Sequence, residues 1–461
     1  MGMPLTREAV REELVALVET MHDELYDWLK AHPAASLDEI AAQVTPRRRR
    51  LMGEWLARLA CLDGDGTAVA GVTCPRCGQL MVYKGDPPRT QEHLEGDILL
   101  KRAYYHCPAC HEAFPPPLDH RLQLSNHNWT PQTMQAALVL AAEVPFARAA
   151  RIFERLTRVP LSGSSLHRLA QEYGGQVVDL QAEEAEAMVK PPPKFDEVGF
   201  RQGPAPDSAV MAVSMDGAMV HVRGEGWKEV KAVTVSAVEP AAPTDKAQAE
   251  DEPRVRLTHH RYRAGLWDAA TFANQQWAEG ARRGLEKAKH IVSVNDGALW
   301  IWVIVAMCYA PCIEILDWWH AVQKLWLIGT LLFGEGNELG QAWVAQYKAF
   351  LWAGQLRPLF RYVHTHFPHD KPWPADLRHA LGYFFHNRHR MRYQQFRRDG
   401  YPVGSGAVES ACKGVVAARL RQAGMRWSRP GAQAMLALRS TVLSDRWDDV
   451  WPTLAARSKV A

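Results

Sequence analysis

Apolar and polar positions alternate at helical spacing over residues 5–31, and a second amphipathic stretch opens at Ser36-Leu-Asp-Glu39. That opening is a capping box: the Ser36 hydroxyl accepts from the Glu39 amide while Glu39 reaches back. The pattern predicts a short helix ending near Thr45-Pro46. Four arginines follow, Arg47–Arg50, either a phosphate clamp or a solvated helix end. Residues 71–120 carry no core periodicity. Helical spacing returns over 130–175, and Lys190-Pro-Pro-Pro-Lys194 reads as a stiff linker, because consecutive prolines hold extended polyproline geometry. Beyond it the period changes. Ala209–Asp216 is a nearly unbroken apolar run, as a central strand buried on both faces requires, with Asp216 at its tip. Trp227–Val238 and Arg254–Tyr262 predict further strands, joined by a long loop over Glu239–Pro253. Trp267–Lys289 predicts a helix, and His290–Asp296 and Cys312–Asp317 two more strands. Residues 320–395, and Ser405 into the 440s, read as helical throughout.

Composition adds bounds rather than a function. With 461 residues, 47% hydrophobic and 23% charged, the chain is an ordinary globular protein of several domains. No apolar leader is visible. The most apolar stretch, Ala298–Cys312, is shorter than a membrane span and contains Pro311. The expectation is a cytoplasmic protein with no membrane partner, whose eight cysteines stay reduced. Net charge is only +3, but its distribution is uneven. Arg388, Arg390, Arg392, Arg397, Arg398, Lys413, Arg419, Arg421, Arg426 and Arg429 face only Asp399 and Glu409 over the same span. Such an excess points to a polyanion, against the plainer reading of ordinary surface arginines.

Cys74-Pro-Arg-Cys77-Gly and Cys107-Pro-Ala-Cys110 have the spacing of a zinc ribbon. Each C-x-x-C knuckle presents two thiolates from one tight turn, and four complete a tetrahedron around structural Zn²⁺. A segment this short lacks a self-sufficient core, so metal would decide whether it folds. Redox dithiols are the alternative, but the βαβ context they favour is absent. The second knuckle lacks a glycine equivalent to Gly78. Cys61, Cys308, Cys312 and Cys412 read as buried small hydrophobes.

Downstream, Thr130-Pro131 starts a helix with proline at its permitted first position. Phe146–Leu156 predicts a second helix, with Ala149, Ala150, Phe153 and Leu156 inward. Ser162 caps a third helix, Gly163–Tyr173, with Leu166 and Leu169 inward. Ser164, Ser165, His167 and Arg168 are left outward near its start, where the recognition helix of a helix-turn-helix meets DNA. An ordinary three-helix core would give the same pattern.

Two acids terminate apolar runs, Asp216 in Val213-Ser-Met-Asp216-Gly217 and Asp296 in Val292-Ser-Val-Asn-Asp296-Gly297. Glu409 follows a glycine-rich approach in Gly404-Ser-Gly-Ala-Val-Glu409. Converged within about 4 Å, each like-charged pair would repel by roughly 4 kcal/mol at an effective dielectric near 20. Such a cluster needs metal or protonation. All-oxygen donors favour Mg²⁺ or Mn²⁺, and a pair of such ions suits phosphodiester displacement. Singly, Asp-Gly is a common turn, and Glu409 with Lys413 is a routine i, i+4 pair.

Together these segments resemble the Kra-type family of bacterial insertion-sequence DDE transposases, whose catalytic domain is RNase H-like. The matching segments are Ser214-Met-Asp216-Gly217, Val294-Asn-Asp296-Gly297-Ala-Leu-Trp-Ile-Trp302, Ile315-Leu-Asp317-Trp-Trp-His320-Ala321, Gly404-Ser-Gly-Ala-Val-Glu409-Ser-Ala-Cys-Lys413 and Gly424-Met-Arg426-Trp427. The resemblance implies a multidomain α+β chain: N-terminal helices over 1–70, a zinc ribbon over 71–120, and a helix-turn-helix domain over 121–190. An α/β RNase H-like core would follow over 205–325, then a helical insertion over 326–395 and the rest of the core, with a tail, over 396–461. It implies Asp216 on the first strand, Asp296 on the fourth and Glu409 on a late helix, jointly holding two Mg²⁺ or Mn²⁺ ions. Lys413, Arg419, Arg421 and Arg426 would grip phosphates of double-stranded DNA, and Trp427 would stack on a displaced base or sit in the core. Asp317 and His320 would brace the site or touch DNA, unless they are simply a strand end and a packed histidine. Asp317 is also a reserve metal ligand. The implied activity is cleavage at transposon ends and strand transfer into target DNA by a homo-oligomer on paired ends, in a bacterial cytoplasm at the nucleoid. Two alternatives remain: an RNase H-like nuclease without strand transfer, and a zinc-ribbon, helix-turn-helix regulator.

Overall fold

The computed structural model describes residues 6–62, 70–114, 117–188, 204–241, 254–367 and 372–458. The Lys190–Lys194 linker and most of the Glu239–Pro253 loop lie outside them. The chain divides into two compact units, Met1–Ala170 with Asp448–Ala461, and Gln171–Trp447.

In the first unit, helix Arg7–Ala31 is followed by helix Leu37–Ala60. The capping box forms: the Ser36 amide donates to Glu39 at 2.7 Å and the Glu39 amide to Ser36 Oγ at 3.3 Å. The second helix does not stop at Pro46 but runs through it. The four arginines just after it are all paired. Arg47 and Arg50 both bind Glu24, at 2.8 and 3.0 Å, Arg48 binds Glu95 at 3.0 Å, and Arg49 binds Asp97 at 2.9 Å. Arg49 is also buried and donates to the carbonyl of Leu94 at 2.8 Å. Ion pairs inside the unit therefore occupy this run, and the phosphate-clamp reading is corrected.

Helices Pro131–Glu143 and Phe146–Thr157 follow, and helix Gly163–Met188 begins in this unit. Ser162 caps the last, accepting from the Ser165 amide at 3.0 Å. Ala149, Ala150, Phe153, Leu166 and Leu169 are buried as expected. Leu156 is not: it is 74% exposed, in the last turn of a helix that ends at Thr157 before a left-handed Arg158.

The second unit is built on a five-stranded mixed sheet. Its strands are β1 (Val210–Val222), β2 (Gly226–Pro240), β3 (Val255–Gly265), β4 (His290–Asn295) and β5 (Ile313–Leu316). Their spatial order is β5-β4-β1-β2-β3. β1, β2 and β3 form an antiparallel meander; β4 joins β1 in parallel and β5 joins β4 in parallel. Met211 to Met215 are all buried, which the unbroken apolar run required. Helices Ala269–Arg282 and Leu299–Tyr309 make the crossovers that parallel neighbours need. Residues 318–387 supply helices Trp318–Phe333, Glu338–Trp352, Arg357–His366 and Ala375–Asn387. The stretch after Ser405 is not one helix. It runs as Gly406–Ala411, a π-turn over Cys412–Ala417 and a short turn at Ala418–Leu420, before helix Arg429–Leu443 resumes.

A buried ionic cluster backs the far edge of the sheet. Arg263 of β3 is fully buried, pairs with Glu279 at 3.4 Å and donates to Gln275 at 2.9 Å. Arg446 pairs with Glu184 at 2.9 Å, and Glu184 also takes Arg263 and Arg282. Burial works to raise the Glu184 carboxyl, but the three guanidiniums outweigh it and hold Glu184 below its ordinary range. Removing one partner strands its counter-charges in a poorly solvated place. Arg263→Ala should therefore destabilise by about 3–5 kcal/mol, read as a shift of the urea midpoint at unchanged slope. A loss under about 1 kcal/mol, as for an exposed pair, would show that the cluster contributes no more than surface charges do.

Candidate active site and metal centre

Three carboxylates lie at one level across three adjacent parallel strands. Val213 of β1 is level with Ser293 of β4, and Ser293 with Glu314 of β5. Three residues further along each strand direction come Asp216, Asp296 and Asp317. Asp296 and Asp317 follow the last residues of β4 and β5, but Asp216 does not end its strand. β1 continues to Val222, paired with β2 throughout, and Asp216 faces Ala232. Its position is open because the pairing with β4 ends at Val213, so the expected strand tip is corrected to the point where one neighbour stops. Asp216-Gly217 is accordingly no turn. A Cβ on Gly217 would stand 2.4 Å from Glu229 Oε1, the far end of a side chain that can move aside.

Asn295 ties the strands just below the acids. It is buried, its Oδ1 accepts from the Met215 amide at 2.6 Å and its Nδ2 donates to Ser293 Oγ at 2.7 Å. Asp296 Oδ1 accepts from the Ala298 amide at 2.9 Å. Asp216 accepts from the Gly217 amide at 2.7 Å and from the Cys412 thiol. Burial pushes the Asp216 carboxyl above its ordinary value, and the charge of Asp296 adds to the rise, against the Gly217 and Cys412 hydrogen bonds.

Glu409 arrives on the short helix Gly406–Ala411, anchored by Asp317. The Oδ2 of fully buried Asp317 accepts from the Ser405 amide at 2.6 Å, and its Oδ1 accepts from both the backbone and Nδ1 of His320 at 2.8 Å. The Trp318 amide donates to Val403 at 3.0 Å beside this link. Burial would raise Asp317, but these bonds outweigh it and keep its carboxyl below the usual range. The Asp317 hydrogen bond raises His320, which also feels Asp296 and Glu409.

The closest set of ligand atoms in this region is Asp317, His320 and Glu409, all within 4.8 Å of one another. Asp216 and Asp296 lie outside that set and couple to it through His320. Proximity alone would make Asp317 a ligand. Its two oxygens accept three hydrogen bonds, which tie His320 and the segment leading to Glu409 to the end of β5. Asp216, Asp296 and Glu409 do not close to within 4.8 Å as one group, though carboxylate oxygens are the donor type that hard divalent cations take. Asp216, Asp296 and Glu409 offer carboxylate oxygens from half-buried positions, and the named cation facing Glu409 is the exposed Lys413, at 3.9 Å.

The basic residues separate. Lys413, Arg421 and Arg426 are exposed. Arg419 is fully buried with its guanidinium over the Trp427 ring at 5.2 Å, and burial lowers its pKa to about 10. Arg419 is thereby corrected from phosphate contact to core. Trp427 is buried too, its carbonyl accepting from the Arg223 amide at 2.8 Å, which fits the core reading and leaves no face for a base. Arg390 binds Glu314 at 2.6 Å and lies over Trp302 at 3.9 Å. Ser164, His167 and Arg168 are exposed and Ser165 half-buried; the His167 ring meets Phe146 edge-on at 5.0 Å.

The four ribbon cysteines also converge within 4.8 Å. Cys77 and Cys107 sulfurs are 3.6 Å apart, and Cys74 and Cys110 3.9 Å. The two knuckles share one backbone plan. Cys74 exchanges bonds with Gln79 and Gly78 at 2.8 and 2.9 Å, and Cys107 with Glu112 and His111 at 2.9 and 3.0 Å. His111 takes the left-handed φ of +56° where Gly78 takes +72°, which histidine tolerates better than most side chains. The missing glycine costs the second knuckle no geometry. The Cys110 amide, 3.4 Å from the Cys107 sulfur, lowers that thiol to about 7. This cluster can hold zinc.

Sequence reasoning missed Cys412 and Tyr383. Cys412 is not a buried hydrophobe but a half-exposed thiol bonded to Asp216; its place three residues after Glu409, on the same helical face, was the available signal. Tyr383 comes from the helical stretch after β5 and has no signal in its neighbourhood.

No family model matches the chain, and neither does any curated protein. Among solved structures it is similar to the Drosophila P element transposase strand transfer complex, at 10% identity and a TM-score of 0.23, over 71% of this chain and 83% of that chain. Among the described residues no helix is long and apolar enough to cross a membrane.

Proposed function

We propose that this chain is a DDE transposase with an RNase H-like core, cutting DNA at transposon ends and joining those ends to target DNA. The observation that supports this reading is the shared level of Asp216 and Asp296 on adjacent parallel strands, with Asp296 and Glu409 both acting electrostatically on His320. The strands carrying the two aspartates are the first and fourth in chain order, as the motif resemblance implies. Asp216, Asp296 and Glu409 are the residues that would hold two Mg²⁺ or Mn²⁺ ions, with Asp317 as the reserve ligand. Bound there, such ions would lower the pKa of the attacking hydroxyl and stabilise the leaving oxygen. Water attacks the phosphorus at the transposon end, the P–O3′ bond breaks, and a 3′-hydroxyl is released. That hydroxyl then attacks a target phosphodiester, so each strand transfer breaks one P–O bond and forms one.

The rest of the chain supports substrate handling. Lys413, Arg421 and Arg426 face solvent near Glu409 in sequence and suit phosphate contacts, with Ser164, Ser165, His167 and Arg168 as the helix-turn-helix contacts. The zinc ribbon is a structural module, and a homo-oligomer pairing two ends completes the proposal. A plasmid carrying the DNA that flanks the coding region on both sides, incubated with purified protein and Mg²⁺, tests it. Joined products support transposition. Cleavage without joining would favour the plain nuclease, and binding without cleavage the regulator.

Each phosphate contact releases condensed counterions, so Arg421→Ala with Arg426→Ala should flatten the log–log salt dependence of DNA binding by about two units. Arg419→Ala should leave that slope unchanged and lower stability instead. An unchanged slope in the double variant would move the DNA path off this segment.

A further inference from the structure

Tyr383 sits against the backbone that carries Asp296. A Cβ on Gly297 would stand 2.1 Å from Tyr383 Cε2 and 3.0 Å from its Cζ. Glycine directly after Asp296 is therefore the seat of this ring. Lys324 Nζ lies 5.7 Å from the ring centroid. The phenol oxygen is buried and makes no hydrogen bond, and the carboxylates that act on it electrostatically are Asp296 and Asp317. Asp317 already accepts three bonds. Asp296 has Oδ1 committed to the Ala298 amide, leaving Oδ2 for another donor. A buried hydroxyl without an acceptor costs about 1–3 kcal/mol, so a fold that keeps one beside an acid holds it for a second arrangement of that acid.

We propose that Tyr383 is a positioning residue for Asp296, donating its phenol O–H to the Asp296 carboxylate when that carboxylate turns to hold a divalent cation. The inference rests on the metal-binding reading of Asp216, Asp296 and Glu409 given above. It gives residues 375–387 a role in the site: they deliver a hydrogen-bond donor to an aspartate that precedes them by a long stretch of chain. Outer-shell donors of this kind typically carry 10–100-fold in metal affinity or activity.

The test uses the full zinc-loaded chain and Mn²⁺ as probe, with free Mn²⁺ counted by electron paramagnetic resonance. Asp296→Asn identifies which bound Mn²⁺ belongs to the site. Tyr383→Phe keeps the ring on Gly297 and removes only the hydroxyl. It should weaken the Asp296-dependent Mn²⁺ affinity about tenfold and raise the Mn²⁺ needed for half-maximal cleavage to match. Its rate at saturating Mn²⁺ should stay near wild type, and its melting temperature should not fall. Equal Mn²⁺ affinity in Tyr383→Phe and wild type would overturn the role of Tyr383 alone. A wild-type protein with no Asp296-dependent Mn²⁺ would overturn the metal reading beneath it.

Discussion

Replacing Asp216 by asparagine should abolish Mg²⁺-dependent cleavage while leaving DNA affinity in EDTA untouched. Asparagine has the same shape, and its carbonyl oxygen can still accept from the Gly217 amide, at 2.7 Å in the native protein. What disappears is a negative charge. A loss of about 10³-fold or more in rate corresponds to roughly 4 kcal/mol of transition-state stabilisation, a reasonable size for a group that holds the ions. The same charge is a burden in the metal-free protein, where burial and then the neighbouring Asp296 push the Asp216 carboxyl upward. Asp216→Asn should therefore melt at the same or a higher temperature than wild type in EDTA. Opposite movements of activity and stability are what a functional carboxylate gives; a structural one would lose both. Cleavage retained within about tenfold of wild type would remove Asp216 from the catalytic set.

The second large effect concerns the cysteines. Cys107→Ser should release zinc and leave the Thr73–Phe114 segment without protection from hydrogen exchange. Its strands are two to five residues long, too short to hold without a staple. Structural zinc contributes on the order of 10–16 kcal/mol of apparent binding in small modules, more than one lost ligand can leave intact. Metal analysis of the wild type should find one zinc per chain, and chelation should reproduce the variant. Full zinc occupancy in Cys107→Ser, or exchange protection that survives chelation, would sink the assignment.

The centre of the sheet was legible because the first half of β1 and most of β4 are buried on both faces. The run from Val210 to Met215 and the run from Ile291 to Asn295 could be little else, and the two Asp-Gly dipeptides marked where those runs became polar. Their meaning was less legible. Gly297 does lie in a bend, where it also seats Tyr383, while Gly217 lies inside β1, paired with Lys231. Arg419 read as a phosphate contact because charge is visible in a sequence and burial is not; its place over Trp427 depends on the chain breaking its helix after Leu420. Arg47–Arg50 stayed open between two readings for the same reason, since Glu24, Glu95 and Asp97 are far away in the chain. Asp317 and His320 were left open between several roles, and only the Ser405 amide, from the other side of a long helical stretch, favours the brace.

The Asp317–Ser405 hydrogen bond also sets an order of events during synthesis. Both strand aspartates leave the ribosome long before Glu409, and the segment bearing Glu409 has nothing to dock on until the end of β5 is in place. A nascent chain thus holds two carboxylates of the set without the third. The set is complete only once the segment around Ser405 has folded back onto the end of β5.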